Sequence, residues 1–236
     1  MSRLLFIKTG YAIAGIPAAL GDFEHWTATA AGLPLERCHV VTVIDGERLP
    51  AASHYSAVII SGSAAMVTRR EPWSEYTADW LQQAMQAAVP ILGICYGHQL
   101  LAHALGGHVD YHPGGREMGT AWIHKAPAAQ QDELFADMPA RFPAHVTHMQ
   151  SVLGLPPGAD VLAWSSFEAH HAVRFAPRVW GLQFHPEFTP EAMWHYLRLR
   201  SEALRSEGQD PEALMAAVQS TDAATALLRR FVTLER

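Results

Sequence analysis

The chain has 236 residues and a mass of 25.9 kDa, which predicts one large domain or two small ones. Lys and Arg number 17 against 23 Asp and Glu, and the formal charge of −6 argues against a dedicated nucleic-acid-binding protein. Because no stretch approaches the roughly 20 apolar residues of a membrane span, and the apolar start is too short for a signal peptide, we expect a cytoplasmic protein without a membrane partner.

The first half of the chain alternates short apolar runs with helical patterns. Strands are predicted at residues 4–7, 40–44, 57–61 and 89–94. Helices are predicted near residues 16–31, over 74–88, and between the fourth strand and the Gly106-Gly107 pair. This alternation favours an α/β fold with a parallel sheet covered by helices on both faces.

From about residue 108 the pattern changes to short strands placed close together. They are predicted at residues 120–124, 144–148, 161–165, 172–175 and 179–184. This spacing indicates a partly antiparallel region. Two helices are predicted to follow, at about 190–207 and 211–234, with Asp210 as the N-cap of the second and Pro211 at its first position. We find no repeat or linker and expect a single domain over residues 1–236, with 190–236 as a helical extension.

The strongest local pattern is an apolar strand that runs into a cysteine flanked by glycines. In Gly93-Ile94-Cys95-Tyr96-Gly97 the cysteine stands directly before a predicted helix. Such a turn is the cysteine counterpart of the nucleophile elbow, whose neighbours must be small because strand and helix pass close together. The helix N-terminus favours a thiolate at Cys95, and the N–H of Tyr96 points where an oxyanion would form. Cys38 lies in no such pattern and is interpreted as a buried packing residue.

His185 is the best candidate for the base that a cysteine nucleophile needs. It follows the apolar strand at 179–184, at the end where open α/β sheets place their chemistry. Glu187 lies two residues further on, so both side chains can point the same way in an extended chain. A carboxylate there can hold the imidazole in one tautomer and stabilise the imidazolium.

Together these motifs resemble the class I, triad-type glutamine amidotransferases, the family that includes the N-terminal domain of GMP synthetase. The resemblance is carried by residues 90–101 and 181–187, with weaker matches at 60–64 and 114–119. It covers roughly residues 40–190, and the helical tail is more like that of the free-standing, GMP-synthetase-like members. The resemblance implies an open, mixed, mainly parallel sheet flanked by helices, of the flavodoxin-like kind.

The resemblance also implies a mechanism. Cys95 attacks the side-chain amide of glutamine, His185 protonates the departing ammonia and then activates water, and Glu187 orients His185. The oxyanion is held by the N–H of Tyr96 and by one N–H from the loop at Gly62, and no cofactor is implied.

The substrate contacts implied by the family fall on three further residues. Gln99 lies one turn into the helix after Cys95. Ser63 stands where the family usually has the second glycine of Ser-Gly-Gly-Pro. Gln150 aligns with a stretch that often carries an acid for the substrate's ammonium group. Because Gln150 is neutral, we expect recognition of free glutamine to be weaker or different here.

Three functions remain open from the sequence. The first is a glutaminase that passes ammonia to a separate synthetase, since the remaining chain has no room for one. The second is a γ-glutamyl peptidase that acts on a peptide or conjugate. The third is a non-catalytic regulatory subunit on the same scaffold. The 14 histidines include no paired ligand motif, so no metal site is expected.

Overall fold

A nine-stranded mixed sheet forms the centre of the structure, a computed structural model that describes residues 4–234. The strands of the described chain are β1 (Leu4–Lys8), β2 (Cys38–Thr42), β3 (Ala57–Ile60), β4 (Ile91–Ile94), β5 (His108–Tyr111), β6 (Glu117–Lys125), β7 (Arg141–His148), β8 (Gln150–Gly154), β9 (Asp160–Trp164), β10 (Ala172–Ala176) and β11 (Val179–Leu182). The large sheet has the order β2-β1-β3-β4-β11-β10-β9-β6-β7, while β5 and β8 pair separately. Neighbours from β2 to β11 pair in parallel and the remaining neighbours pair antiparallel. The expected mixed α/β fold is confirmed.

Helices cover both faces of the sheet. They are α1 (Phe23–Ala31), α2 (Pro72–Gln86), α3 (Tyr96–Ala104), α4 (Pro190–Leu199), α5 (Ser201–Ser206), α6 (Pro211–Ala216) and α7 (Asp222–Thr233). Alternate residues of β1 point to opposite faces: Leu4 and Phe6 join the core beneath α1, α4 and α7, whereas Leu5 and Ile7 join the core beneath α2 and α3. Strands buried on both faces explain the continuous apolar runs. Within residues 4–234 no helix has the length and apolar character to cross a membrane.

The helical segments are more divided than the sequence predicts. The two-helix tail consists of α4 and α5, which meet at Arg200, followed by α6 and α7. Asp210 caps α6 as predicted, accepting a hydrogen bond from Ala213 N at 3.0 Å. Before α7, the Ser220 hydroxyl donates a hydrogen bond to the Asp222 side chain at 2.6 Å. Local side-chain hydrogen bonds of this kind compete with helix formation, and they accompany the break between α6 and α7.

The region around residues 16–31 also differs from the prediction. Only Phe23–Ala31 is α-helical, because the Asp22 side chain accepts a hydrogen bond from Phe23 N at 2.7 Å and starts the helix there. Residues 18–20 form a separate 3₁₀ turn. The strands β5 and β8 were not predicted from the sequence.

Candidate active site

Cys95 lies in the turn between β4 and α3, in a strained backbone conformation. Its φ is 49° and its ψ is −96°, which is unfavourable for a residue with a side chain. A Cβ added at Gly93 would lie 2.4 Å from Gly97 O, and one added at Gly97 would lie 2.7 Å from Ile60 O. Both clashes are with backbone, so the predicted need for two small neighbours has a direct steric cause.

His185 is brought beside Cys95 by the pairing of β11 with β4. These strands run in parallel, and Cys95 N donates a hydrogen bond to Leu182 O at 2.7 Å. The residues that follow both strands therefore leave the sheet at the same edge, where parallel strands place ligands. His185 Nδ1 lies 2.7 Å from Glu187 Oε1, and both residues are buried. The ring packs against Phe188 at 4.3 Å between centroids.

The charges around His185 favour its protonated form. Burial by itself would lower its pKa, but the carboxylate of Glu187 and the side chain of Cys95 outweigh burial and raise the pKa to about 10. Nδ1 is directed at Glu187, so its proton points to the carboxylate. Nε2 has no hydrogen-bond partner among the described residues. It is the ring nitrogen left to exchange a proton in a reaction.

A pocket of about 270 Å³ opens at Cys95 and His185. The other predicted site residues on its wall are Ser63, Tyr96, Gln99 and Gln150. Gly62 is not on that wall, but a Cβ added to it would lie 2.9 Å from His185 Cε1 and 3.7 Å from Cys95 Cβ. All eight predicted residues therefore gather at one place.

The predicted substrate residues differ in how their polar atoms are used. Gln99 Nε2 donates to Gln150 O at 2.6 Å and to Gln183 Oε1 at 3.0 Å, which leaves the Gln99 carbonyl as an acceptor. Gln150 Nε2 donates to Thr68 Oγ1 at 2.6 Å, and Gln150 is 1% exposed. Gln183 was not predicted as a site residue, although it stands within the His185 motif. Its Nε2 lies 3.6 Å from Cys95 Sγ.

The pocket wall carries two arginines, Arg116 and Arg200, and, among the described residues, no carboxylate. Arg116 forms a forked ion pair with Glu207, with contacts of 2.9 and 3.0 Å. His148 Nε2 lies 2.8 Å from Glu117 Oε2, while its Nδ1 lies 3.1 Å from Gln150 O. The Arg200 guanidinium makes no hydrogen bond or ion pair of its own within residues 4–234; its charge acts on Glu207 at longer range, and that carboxylate is bound to Arg116.

The sequence offers no signal for Arg200 as a pocket residue. Its place among the alternating charges of 198–207 predicts a solvent-exposed face. The end of α4 at Arg200 changes this, because the chain turns there and the side chain reaches the pocket wall. No cluster of three or more metal-ligating side chains occurs among the described residues.

Comparison with known proteins gives a consistent family assignment. The family model for glutamine amidotransferase class-I matches residues 30–200. A GMP synthase [glutamine-hydrolyzing] from Thermomicrobium roseum is 40% identical over 131 residues, which are 55% of this chain and 23% of that protein. One subunit of a GMP synthase [glutamine-hydrolyzing] from Methanococcus aeolicus is 34% identical over 118 residues, 49% of this chain and 60% of that protein. The matched region thus spans less than two thirds of either relative.

Solved structures agree with the fold. A glutamine amidotransferase from Thermotoga maritima superposes with a TM-score of 0.77 at 20% identity, covering 98% of this chain and 97% of that one. A glutamine amidotransferase from Methylobacillus flagellatus gives a TM-score of 0.76 at 20% identity, covering 100% of this chain and 96% of that one. At this identity the likeness concerns the fold alone.

Proposed function

Because the chain belongs to the class I glutamine amidotransferases, we propose that it hydrolyses the side-chain amide of glutamine to glutamate and ammonia. The observation that carries this proposal is the buried arrangement of Cys95, His185 and Glu187 at one edge of the sheet. A nucleophile, a base and a carboxylate that orients the base are the parts that acyl transfer requires.

The proposed reaction has two stages. The Cys95 sulfur attacks the amide carbon, and His185 delivers a proton to the departing nitrogen, so ammonia leaves and a glutamyl thioester forms. A water molecule, deprotonated by His185, then attacks the thioester, and glutamate leaves as the Cys95 thiol is restored. Glu187 keeps His185 oriented through both stages because its carboxylate holds Nδ1.

The negative oxygen that forms in each stage needs hydrogen-bond donors. The N–H of Tyr96, at the start of α3, has no acceptor among the described residues and stands beside Cys95. A second N–H comes from the loop of Gly62 and Ser63. One such donor contributes about 3–4 kcal/mol of barrier lowering, which makes this loop nearly as important as the side chains.

We further assign the recognition of the substrate's glutamyl end to Gln99, Gln150 and Arg200. The Gln99 carbonyl is left to accept from an ammonium group, because its Nε2 is occupied. Gln150 lies next to it and helps to fix it. Arg200 is suited to a carboxylate, since its guanidinium has no direct counter-ion within residues 4–234.

The ammonia goes to a synthetase on another protein in this proposal. The relative from Methanococcus aeolicus is itself one subunit of a GMP synthase, which supports a partner of that kind. We place the reaction in the cytoplasm and assign it no metal or cofactor.

A γ-glutamyl peptidase is the second candidate. A γ-glutamyl peptide carries the same glutamyl end as glutamine, with the same α-ammonium group, and differs only in the substituent on the amide nitrogen. The pocket wall has, within residues 4–234, no carboxylate, and Gln150 is neutral where the family often carries an acid, so the wall offers that ammonium group no ionic partner in either substrate and leaves both candidates open. A regulatory protein without activity is less favoured, because Cys95, His185 and Glu187 are all present and close together.

The test is glutamate release by the purified protein, with L-glutamine and a γ-glutamyl dipeptide as substrates. Cys95→Ala should abolish release, while Cys38→Ala, in β2, should leave it unchanged. Release from L-glutamine supports the first candidate, and release from the dipeptide alone supports the second. If the wild-type protein and Cys95→Ala behave alike on both substrates, the proposed activity is wrong.

A further inference from the structure

The peptide that follows β3 is held by two buried hydroxyl groups. Gly62 O lies 2.9 Å from Ser61 Oγ and 3.1 Å from Thr9 Oγ1. The two residues are linked in turn, because Thr9 N donates to Ser61 Oγ at 3.0 Å. Thr9 is 0% exposed and Ser61 is 1% exposed, so water does not compete for these bonds. Thr9 Oγ1 also lies 2.9 Å from Ser61 O, so its single proton is shared between Ser61 O and Gly62 O. The Gly62 carbonyl therefore accepts a hydrogen bond from Ser61 Oγ and a share of the one from Thr9.

The topology of the sheet shows where the other end of this peptide points. β3 lies between β1 and β4, Thr9 follows β1, and Cys95 follows β4. In a planar trans peptide the N–H points opposite to the C=O. Because Gly62 O is turned toward Thr9, the N–H of Ser63 is turned toward the side of Cys95. Within residues 4–234 this N–H has no hydrogen-bond acceptor, and Ser63 lines the pocket.

Close packing prevents the loop from moving toward β1. A Cβ added at Gly10 would lie 2.6 Å from Ser63 Oγ and 2.9 Å from Ser63 Cα. Ser63 Oγ accepts a hydrogen bond from Ala65 N at 3.1 Å, so its side chain is tied into its own turn. The loop is therefore held from two directions, by the hydroxyl bonds and by contact with Gly10.

We propose that Thr9 and Ser61 are positioning residues that keep the Ser63 N–H directed at the oxyanion position before substrate binds. This inference rests on the proposed amide hydrolysis. Its consequence is that the Ser63 N–H points to the oxyanion position in the chain alone, because the two hydroxyls hold the Gly62–Ser63 peptide. The chain should hydrolyse its substrate without a partner.

The test compares Thr9→Val, which keeps the shape but removes the hydroxyl, with Thr9→Ser, which keeps the hydroxyl. In the isolated full chain, Thr9→Val should lower kcat for glutamate release by at least about tenfold, and by no more than the roughly 10²–10³-fold that loss of one oxyanion donor causes. KM should stay within about threefold, since the contact acts in the transition state. Thr9→Ser should keep most of the wild-type kcat, and Ser61→Ala, which removes the shorter bond to Gly62 O, should also lower kcat.

Alkylation of Cys95 by iodoacetamide supplies the control, because this displacement forms no oxyanion. The rate at the Cys95 peptide, followed by mass spectrometry, should be the same in wild type and Thr9→Val. An unchanged kcat in Thr9→Val would overturn the proposal, and so would an alkylation rate that falls in parallel with kcat or a failure of Thr9→Ser to keep most of the wild-type kcat.

A separate structural measurement distinguishes this proposal from the proposed function. If wild type releases glutamate from neither L-glutamine nor a γ-glutamyl dipeptide, the proposed activity fails. Crystal structures of wild type and Thr9→Val then decide the positioning role. A Gly62 carbonyl that keeps its direction without the Thr9 hydroxyl contradicts it, and one that turns away supports it.

Discussion

The two halves of the large sheet contribute to the site by different means. The half built from β1 to β4 supplies backbone geometry: the strained turn at Cys95 and the N–H groups of Ser63 and Tyr96. The later half, residues 108–200, supplies side chains such as His185 and Arg200. The backbone of the turn can take its position only because the neighbouring glycines have no Cβ. The side chains of the later half are positioned by contacts with residues that are distant in sequence. Changes to the glycines of the first half should therefore act through folding, and changes to the side chains of the later half should act through activity.

Among the substitutions that separate the two halves, the largest loss of activity is expected in the later half. His185→Asn removes the proton-transfer group but leaves the sheet intact, so kcat should fall by about 10²–10⁴-fold, or roughly 3–5 kcal/mol of barrier. The free energy of unfolding should also fall, because Glu187 loses its buried partner, but the protein should still fold. The matched control is His25→Asn, which should keep full activity, because the His25 side chain is 54% exposed. Steady-state kinetics with thermal melts measures both. A His185→Asn protein that is active, or that does not fold, would show that this side chain does not act through proton transfer at the site.

The first half should respond in the opposite way. Gly93→Ala places a Cβ 2.4 Å from the Gly97 carbonyl oxygen, and the free energy of unfolding should fall by about 3 kcal/mol. Gly158→Ala is the control, because its Cβ would meet nothing within 4 Å and only its φ of 81° is unfavourable. That change should cost about 1 kcal/mol. Urea denaturation of both variants gives the difference, and equal losses would show that close packing at the turn is not the cause.

A pH change should alter the free energy of unfolding in opposite directions through two kinds of buried histidine, those that are neutral in the fold and the one that is protonated. Burial lowers the pKa of His98 to about 3 and of His145 to about 4, with the charge of His185 adding to the latter. These groups are neutral when folded and take up protons on unfolding below pH 6.5. Each of these two histidines should therefore lower the free energy of unfolding by about 2 kcal/mol at pH 5 relative to pH 7.

His185 contributes at the other end of the pH scale. Its pKa is raised to about 10 in the fold, despite burial, by Glu187 and Cys95. The stability that it supplies is present below pH 6.5 and is lost as the pH rises toward 10. Chemical denaturation between pH 5 and 10 should show a maximum near neutrality. A stability that stays constant between pH 5 and 7 would contradict the buried neutral state of His98 and His145.

The smallest expected effect concerns Arg200. If its guanidinium binds the substrate carboxylate, Arg200→Ala should raise KM by about tenfold, or roughly 1.4 kcal/mol, with little change in kcat. Arg198→Ala is the matched control, since Arg198 lies over the ring of Trp194 and is not on the pocket wall. Both KM values come from the same glutamate-release assay. An equal KM for the two variants would remove Arg200 from the site.

The sequence alone was sufficient for the parts of the protein that depend on near neighbours. Gly93, Cys95 and Gly97 predict the strained turn, because the clash that excludes larger residues arises within five consecutive positions and the neighbouring strand. The pair His185 and Glu187 was visible from their spacing. The alternation of strands and helices predicted the parallel part of the sheet.

Only the tertiary structure decided which of these parts meet. The order of strands places β11 beside β4 and β3 between β1 and β4, and this order brings His185 and the Ser63 N–H to Cys95. The end of α4 turns Arg200 from a predicted exposed face into the pocket, and Thr9 acquires its role from a strand that is distant in sequence. Steric clashes within a turn depend on residues that are adjacent in sequence, so a short pattern predicts them. The order of the strands depends on burying both faces of the whole sheet at once, so a short pattern cannot predict it.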